Sequence, residues 1–165
     1  MTWSKSQFTN LKTEPRSVNI STLSNELQHE FRAAFRQKDL HAKMEVASSL
    51  KAYVDPNHLE IILRNLIQNA IKFSNTGGSI SLVAENVDEH ISIAIIDEGK
   101  GMNKEQISNL FDINTHFSTP GTLNEKGTGL GMIIINDFVR ENNGSIEVES
   151  EPNKGSSFKI LLPIE

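Results

Sequence analysis

Asp55-Pro56-Asn57-His58-Leu59-Glu60-Ile61-Ile62-Leu63-Arg64-Asn65-Leu66-Ile67-Gln68-Asn69-Ala70-Ile71-Lys72-Phe73 is the strongest helical signal in the sequence. Asp55 reads as an N-cap and Pro56 as the first helical residue, where a missing N–H is harmless. Leu59, Ile62, Leu63, Leu66, Ile67, Ala70 and Ile71 recur at three- and four-residue steps, which predicts a helix with one buried face through Phe73. The turn Asn75-Thr76-Gly77-Gly78 ends it. Its polar side carries Asn65, Asn69 and Lys72 on successive turns, and a four-residue step puts the two amides on one face. Asparagine is a mediocre helix former. The pair reads either as a solvated face or as a site where an amide oxygen ligates Mg²⁺ while Lys72 balances phosphate charge.

Working outward, Trp3, Gln7, Phe8 and Leu11 have roughly helical spacing that breaks at Pro15, which predicts the tail of a helix begun upstream of Met1. An extended piece over 17–20 leads to Ser21 as an N-cap. Leu23, Leu27, Phe31, Ala34 and Phe35 then mark an amphipathic helix to about Lys38. Leu40, Ala42, Met44 and Val46 alternate with polar residues as a half-buried strand does, and a short strand is expected over 52–54. Beyond the central helix, strands are predicted at 79–85 and 90–96, joined as a hairpin. A long glycine-punctuated stretch with a short helix at 104–110 follows, then a helix from about 128 to 141 and two last strands at 145–150 and 156–162. Three helices and mostly antiparallel strands predict an α+β fold, a two-layer α/β sandwich. The long loop stands out, because structureless stretches beyond about 12–15 residues are usually lids or binding loops.

Composition narrows the class without naming it. A hydrophobic content of 37% with 22% charged residues is that of a globular domain. A net charge of −5 argues against a nucleic-acid surface, and the absence of cysteine excludes disulfides and thiolate metal sites. No apolar run approaches the ~20 residues of a membrane-spanning helix.

Two further stretches carry chemistry. In Ile95-Ile96-Asp97-Glu98-Gly99-Lys100-Gly101-Met102 a strand runs into a carboxylate and two glycines. A carboxylate suits an exocyclic amine such as that of adenine, and glycine lets a flat ring approach the backbone. An ordinary strand-end turn is the competing reading. In Gly127-Thr128-Gly129-Leu130-Gly131 closely spaced glycines precede a helix, so backbone N–H groups and a helix N-terminus can face phosphate. The pattern is neither G-x-x-x-x-G-K-[ST] nor G-x-G-x-x-G after a strand.

Taken in order, these stretches resemble a known family, the catalytic domains of sensor histidine kinases within the gyrase, chaperone and mismatch-repair ATPase superfamily. Residues 65–73 resemble its N box, 97–102 its G1 box and 127–131 its G2 box, while Phe111 and Phe117 fall where its F box lies. The resemblance spans about residues 17–163. It implies the Bergerat ATP-binding fold, a mixed, mostly antiparallel sheet covered on one face by three helices. It also implies ATP and Mg as cofactors, with Asn69 holding the metal and Asn65 supporting the same region. Lys72 would meet the phosphates and Phe73 flank the nucleotide. Asp97 would take the adenine amine, with Gly99, Gly101 and Met102 beside it. A lid over about 103–126 would fold across the triphosphate. Phe117, Ser118, Thr119 and Lys126 belong to the implied ATP site, Lys126 standing in for an arginine that many relatives carry, and so do Gly127, Thr128, Gly129, Leu130 and Gly131.

The family's hydrolytic members carry a glutamate as general base four residues before the metal-binding asparagine. Asn65 occupies that position here, and an amide cannot take a proton. The resemblance therefore implies a protein histidine kinase domain that binds ATP without phosphorylating itself, the acceptor histidine lying on a separate upstream domain. His29-Glu30-Phe31-Arg32 imitates an acceptor motif, but Ala34 stands where its proline belongs. Residues 1–16 would be the end of the phosphoacceptor and dimerisation domain, and 17–165 the catalytic domain. The partners implied are that domain and a downstream response regulator, with no nucleic acid and no direct membrane contact. The isolated domain is expected to be a cytoplasmic monomer within a homodimeric protein. The alternative is a degenerate nucleotide-binding module that signals without kinase output.

Overall fold

A computed structural model describes residues 12–112, 119–125, 127 and 129–164. The expected tail helix around Trp3, Gln7, Phe8 and Leu11 lies outside the described residues. The chain starts with β1 (Arg16–Asn19), α1 (Ile20–Glu30) and α2 (Arg32–Gln37), then β2 (His41–Met44) and β3 (Lys51–Val54). The central helix α3 (Pro56–Phe73) is followed by β4 (Ser79–Val87), β5 (His90–Asp97) and the short α4 (Lys104–Ser108). α5 (Gly131–Glu141), β6 (Ser145–Glu151) and β7 (Gly155–Pro163) complete the fold.

Five strands form one sheet in the order β2-β4-β5-β7-β6, and β1 pairs with β3 in a separate antiparallel ribbon. Only β2–β4 is parallel within the large sheet, so it is mixed and mostly antiparallel as expected. Alternation decides which sheet face is buried: Ile80 and Leu82, Ile91, Ile93 and Ile95, and Phe158, Ile160 and Leu162 all point into the core. Helices cover that face. In α3, Leu59, Ile62, Leu63, Leu66, Ile67 and Ala70 are at most 3% exposed. Each of its fully buried Leu and Ile side chains contributes about 1.5–3 kcal/mol relative to exposure.

α3 begins where the sequence places it. Asp55 Oδ1 accepts from the N–H groups of Asn57 at 2.9 Å and His58 at 3.4 Å, with Pro56 in the first turn. Two expectations differ in detail. The cap of α1 is Asn19, whose Oδ1 accepts the Thr22 N–H at 2.9 Å, not Ser21. The single helix expected to Lys38 is bent at Phe31 into α1 and α2. The bonds Phe31 N–H to Leu27 O and Phe35 N–H to Phe31 O still bridge the bend, so its apolar periodicity survives.

Candidate functional site

The residues singled out by sequence meet around the C-terminal half of α3. Asn65, Asn69, Lys72 and Phe73 are all half-buried. Asn65 donates from Nδ2 to Ile61 O at 2.8 Å, within its own helix. Its Oδ1 lies 3.0 Å from where a Cβ on Gly131 would stand, so a larger residue there would press on the amide. One turn on, Asn69 Nδ2 approaches Met132 Sδ at 3.4 Å. The first turn of α5 is thus laid against both amides, which brings the third glycine of the 127–131 stretch to the polar face of α3. The helix starts at Gly131, not near 128, which leaves Gly127 and Gly129 in non-helical backbone ahead of it.

The corner around Asp97 is assembled by β5. Its last residue, Asp97, is 4% exposed and accepts from the Gly99 N–H at 2.8 Å and from the Ser156 N–H. Burial pushes the Asp97 carboxyl up to about 6 against the pull of those two N–H groups. Beyond it, Gly99 forms a bridge with Ser74 and the Lys100 N–H donates to Phe73 O at 3.1 Å. The exit of β5 is therefore stitched to the end of α3, which sets Asp97 beside Phe73. Ser74 Oγ, fully buried at the same corner, has no hydrogen-bond partner among the described residues.

Gly101 has a second duty. Its φ is +62°, and a Cβ there would collide with the Glu151 carbonyl. The Asn153 N–H donates to Lys100 O at 2.7 Å and the Met102 N–H to Ser150 Oγ at 2.8 Å. The β6–β7 turn is thereby folded onto the strand exit, and Met102 is half-buried against the core. Close packing against β6–β7 alone demands glycine at 101.

Positive charge gathers at the end of α3. Lys72 Nζ lies 4.9 Å and Lys100 Nζ 5.1 Å from the centroid of the Phe73 ring. Burial and then the like charge of Lys100 lower the Lys72 ammonium below its usual range, with Glu125 pulling the other way. Two ammonium groups sharing one ring suit a multiply charged anion. Lys100 was not singled out by sequence, although its place between two glycines was a usable signal.

Thr119 is exposed, Gly129 half-buried at φ +72° and Leu130 exposed at the mouth of α5. Phe117, Ser118, Lys126 and Thr128 lie outside the described residues. Two open surface hollows, one lined by His29, Arg32 and Phe35 and one along β2 and β4, contain none of the singled-out residues. The motif residues converge elsewhere, at the end of α3 and the exit of β5. No set of three or more His, Cys, Asp or Glu side chains among the described residues could hold a metal. Asn69 Oδ1 accepts no hydrogen bond among them. A neutral amide oxygen as the protein ligand, with the remaining positions left to phosphate and water, fits Mg²⁺.

The histidine kinase-, DNA gyrase B- and HSP90-like ATPase family matches residues 54–165. The chain belongs to this family. Within it, the chain is an ATP-binding catalytic domain of the sensor histidine kinase type. It is 31% identical to the sensor histidine kinase RcsC of Escherichia coli K12 over 98% of this chain, and spans 17% of that relative's length. The nucleotide-free catalytic domain of histidine kinase ThkA is 26% identical with a TM-score of 0.78, covering 91% of this chain and 95% of that one. ThkA in complex with the response regulator TrrA shares the fold, at 21% identity and a TM-score of 0.74 over 93% of this chain and 42% of that one. The α+β sandwich and the ATPase membership expected from sequence both hold.

Proposed function

We propose that this domain binds Mg·ATP at the end of α3 and presents its γ-phosphate to a histidine on another domain of the same protein. Asp97 accepts the adenine amine, and Phe73 flanks the base beside Gly99 and Met102. Lys72 and Lys100 neutralise the phosphates, with Thr119 and the described glycines 127, 129 and 131 beside them. Phe117, Ser118, Lys126 and Thr128 are proposed to complete this wall. Asn69, supported by Asn65, would hold Mg²⁺, which supplies charge neutralisation to the phosphates when bound. In the transfer, the bond from the γ-phosphorus to the ADP oxygen breaks, a phosphorus–nitrogen bond forms to the acceptor imidazole, and the imidazole proton is released. Positioning and charge neutralisation are the domain's share of catalysis.

The observation that carries this reading is the meeting of Asn69, Lys72, Phe73 and Asp97 at one corner with an amide, not a carboxylate, at position 65. An asparagine bonded to its own helix carbonyl cannot activate water, which disfavours hydrolysis. The acceptor domain preceding residue 17 is also proposed as the dimerisation element, leaving this domain a monomer by itself. A response regulator is the proposed downstream partner, in line with the ThkA–TrrA complex, and the cytoplasm the proposed location. Among the described residues no helix is long and apolar enough to cross a membrane. Titration with ATP, with and without Mg²⁺, while phosphate release is followed, tests the reading. Saturable, Mg-dependent binding with negligible release is expected. Rapid release would instead demand a base the site does not offer, and absence of binding would refute the proposal.

A further inference from the structure

Lys38, at the C-terminal end of α2, is 3% exposed and far in sequence from the residues it serves. Its Nζ donates to Ile71 O at 2.7 Å, to Lys72 O at 3.0 Å and to Glu125 Oε1 at 2.8 Å, so all three ammonium protons are used. The first two partners are orphan carbonyls of the last turn of α3, where the helix dipole favours a cation. The third belongs to a turn at the C-terminal end of the expected lid. Glu125 Oε2 accepts the Leu123 N–H at 2.8 Å, and its backbone carbonyl accepts the Gly121 N–H at 2.9 Å, closing residues 121–125 on themselves.

That turn is seated on α3. The Thr122 N–H donates to Lys72 O at 3.0 Å and its hydroxyl to Ser74 O at 2.7 Å. Gly121 is buried against Lys72, and a Cβ there would stand 2.6 Å from Lys72 Cγ. Burial pushes the Glu125 carboxyl up, but the bond from Lys38 and those from backbone N–H groups outweigh it and hold it below the usual carboxylate range. An ion pair with one buried and one part-exposed member is a weak stabiliser compared with packed apolar side chains, whereas it fixes one geometry.

We propose that Lys38 and Glu125 are positioning residues for nucleotide binding: together they clamp turn 121–125 onto the last turn of α3, so that Lys72 and the glycine-rich segment after the turn face the triphosphate in one arrangement. This rests on the nucleotide-binding reading of the site. The ion pair, through Lys38, bonds directly to the carbonyls of Ile71 and Lys72, and Lys72 is the residue proposed to meet the phosphates, so loss of the pair should be felt by ATP far more than by ADP.

Two readouts on Glu125→Gln, Lys38→Met and Lys38→Arg test it: amide exchange at Thr122 and Gly121, and the dissociation constants for Mg·ATP and Mg·ADP. Glu125→Gln and Lys38→Met should speed exchange at both amides and weaken ATP about tenfold, with ADP altered less than about twofold. Lys38→Arg should restore most of the ATP affinity. Unchanged exchange at Thr122 overturns the clamp, and so does a parallel loss of ATP and ADP affinity. If Lys38→Met fails to fold, Glu125→Gln decides, because that side chain is 35% exposed and its removal leaves the core intact. If the unaltered domain bound neither nucleotide, the site reading would fall, while exchange at Thr122 would still decide whether the pair holds the turn.

Discussion

Asp97 is held between two opposed demands. The amine it is proposed to hold is bound best by the ionised carboxylate, yet burial raises the carboxyl from 3.8 to about 6. A ligand that needs the carboxylate competes with the proton, so ATP affinity should be full above about pH 6 and fall by up to tenfold per unit below it. Calorimetry from pH 5 to 8 checks this, with Asp97→Asn as control; the variant should bind weakly and lose that dependence. Because the folded value is raised, ionisation disfavours the empty fold as pH climbs from 3.8 through 6, by on the order of 3 kcal/mol. Asp97→Asn should therefore melt no lower than the parent at pH 7, and a drop of several degrees would assign Asp97 to packing instead. Asn69→Ala should weaken Mg·ATP at least tenfold and Mg-free ATP much less; equal losses would remove Asn69 from the metal. Asn65, Asn69 and Asp97 were legible because a helical face and a strand end are local patterns. Lys38 and Glu125 were not, since a charge 87 residues from its partner leaves no periodic trace.

Among the elements, α3 bears most of the weight. Leu66→Ala should cost about 2–5 kcal/mol in denaturant unfolding, since Leu66 is 1% exposed within the core cluster. Asp55 does more than cap: its Oδ2 also accepts the Glu14 N–H at 2.9 Å, and its own N–H donates to Asn142 Oδ1 at 2.7 Å. Burial raises its carboxyl, but the N–H groups of Glu14, His58 and Asn57 outweigh that and keep it below its ordinary 3.8. The stability it contributes is present above pH 3.8 and disappears as pH falls through its lower folded value. Asp55→Ala should cost about 1–2 kcal/mol at pH 7 and much less in acid. The helices and strands were readable from period and punctuation. The bend at Phe31 was hidden by hydrogen bonds that continue across it, and the late start of α5 was obscured because glycine and threonine fit either state.

For the whole molecule, layer number and strand content followed from the order of predicted elements. The strand order did not, because β2 reaches β4 past β3 and α3, and β5 joins β7 past the lid and α5. Such long-range pairings are settled by packing over α3. Asp55, where Glu14 attaches, and Asn69, where the phosphates are proposed to sit, are separated by about 20 Å of helix at 1.5 Å per residue. The attachment of Glu14 and the proposed phosphate site thus stand at opposite ends of a stiff rod. On the proposed reading, with the acceptor histidine upstream, the chain that carries it joins the domain at the end of α3 remote from the proposed phosphate site. That reading then asks for a turn of the domain about the short stretch 12–15, or for a histidine offered by a second molecule. Stiffening that short stretch would therefore act as a brake on phosphorylation while leaving the grip on ATP untouched.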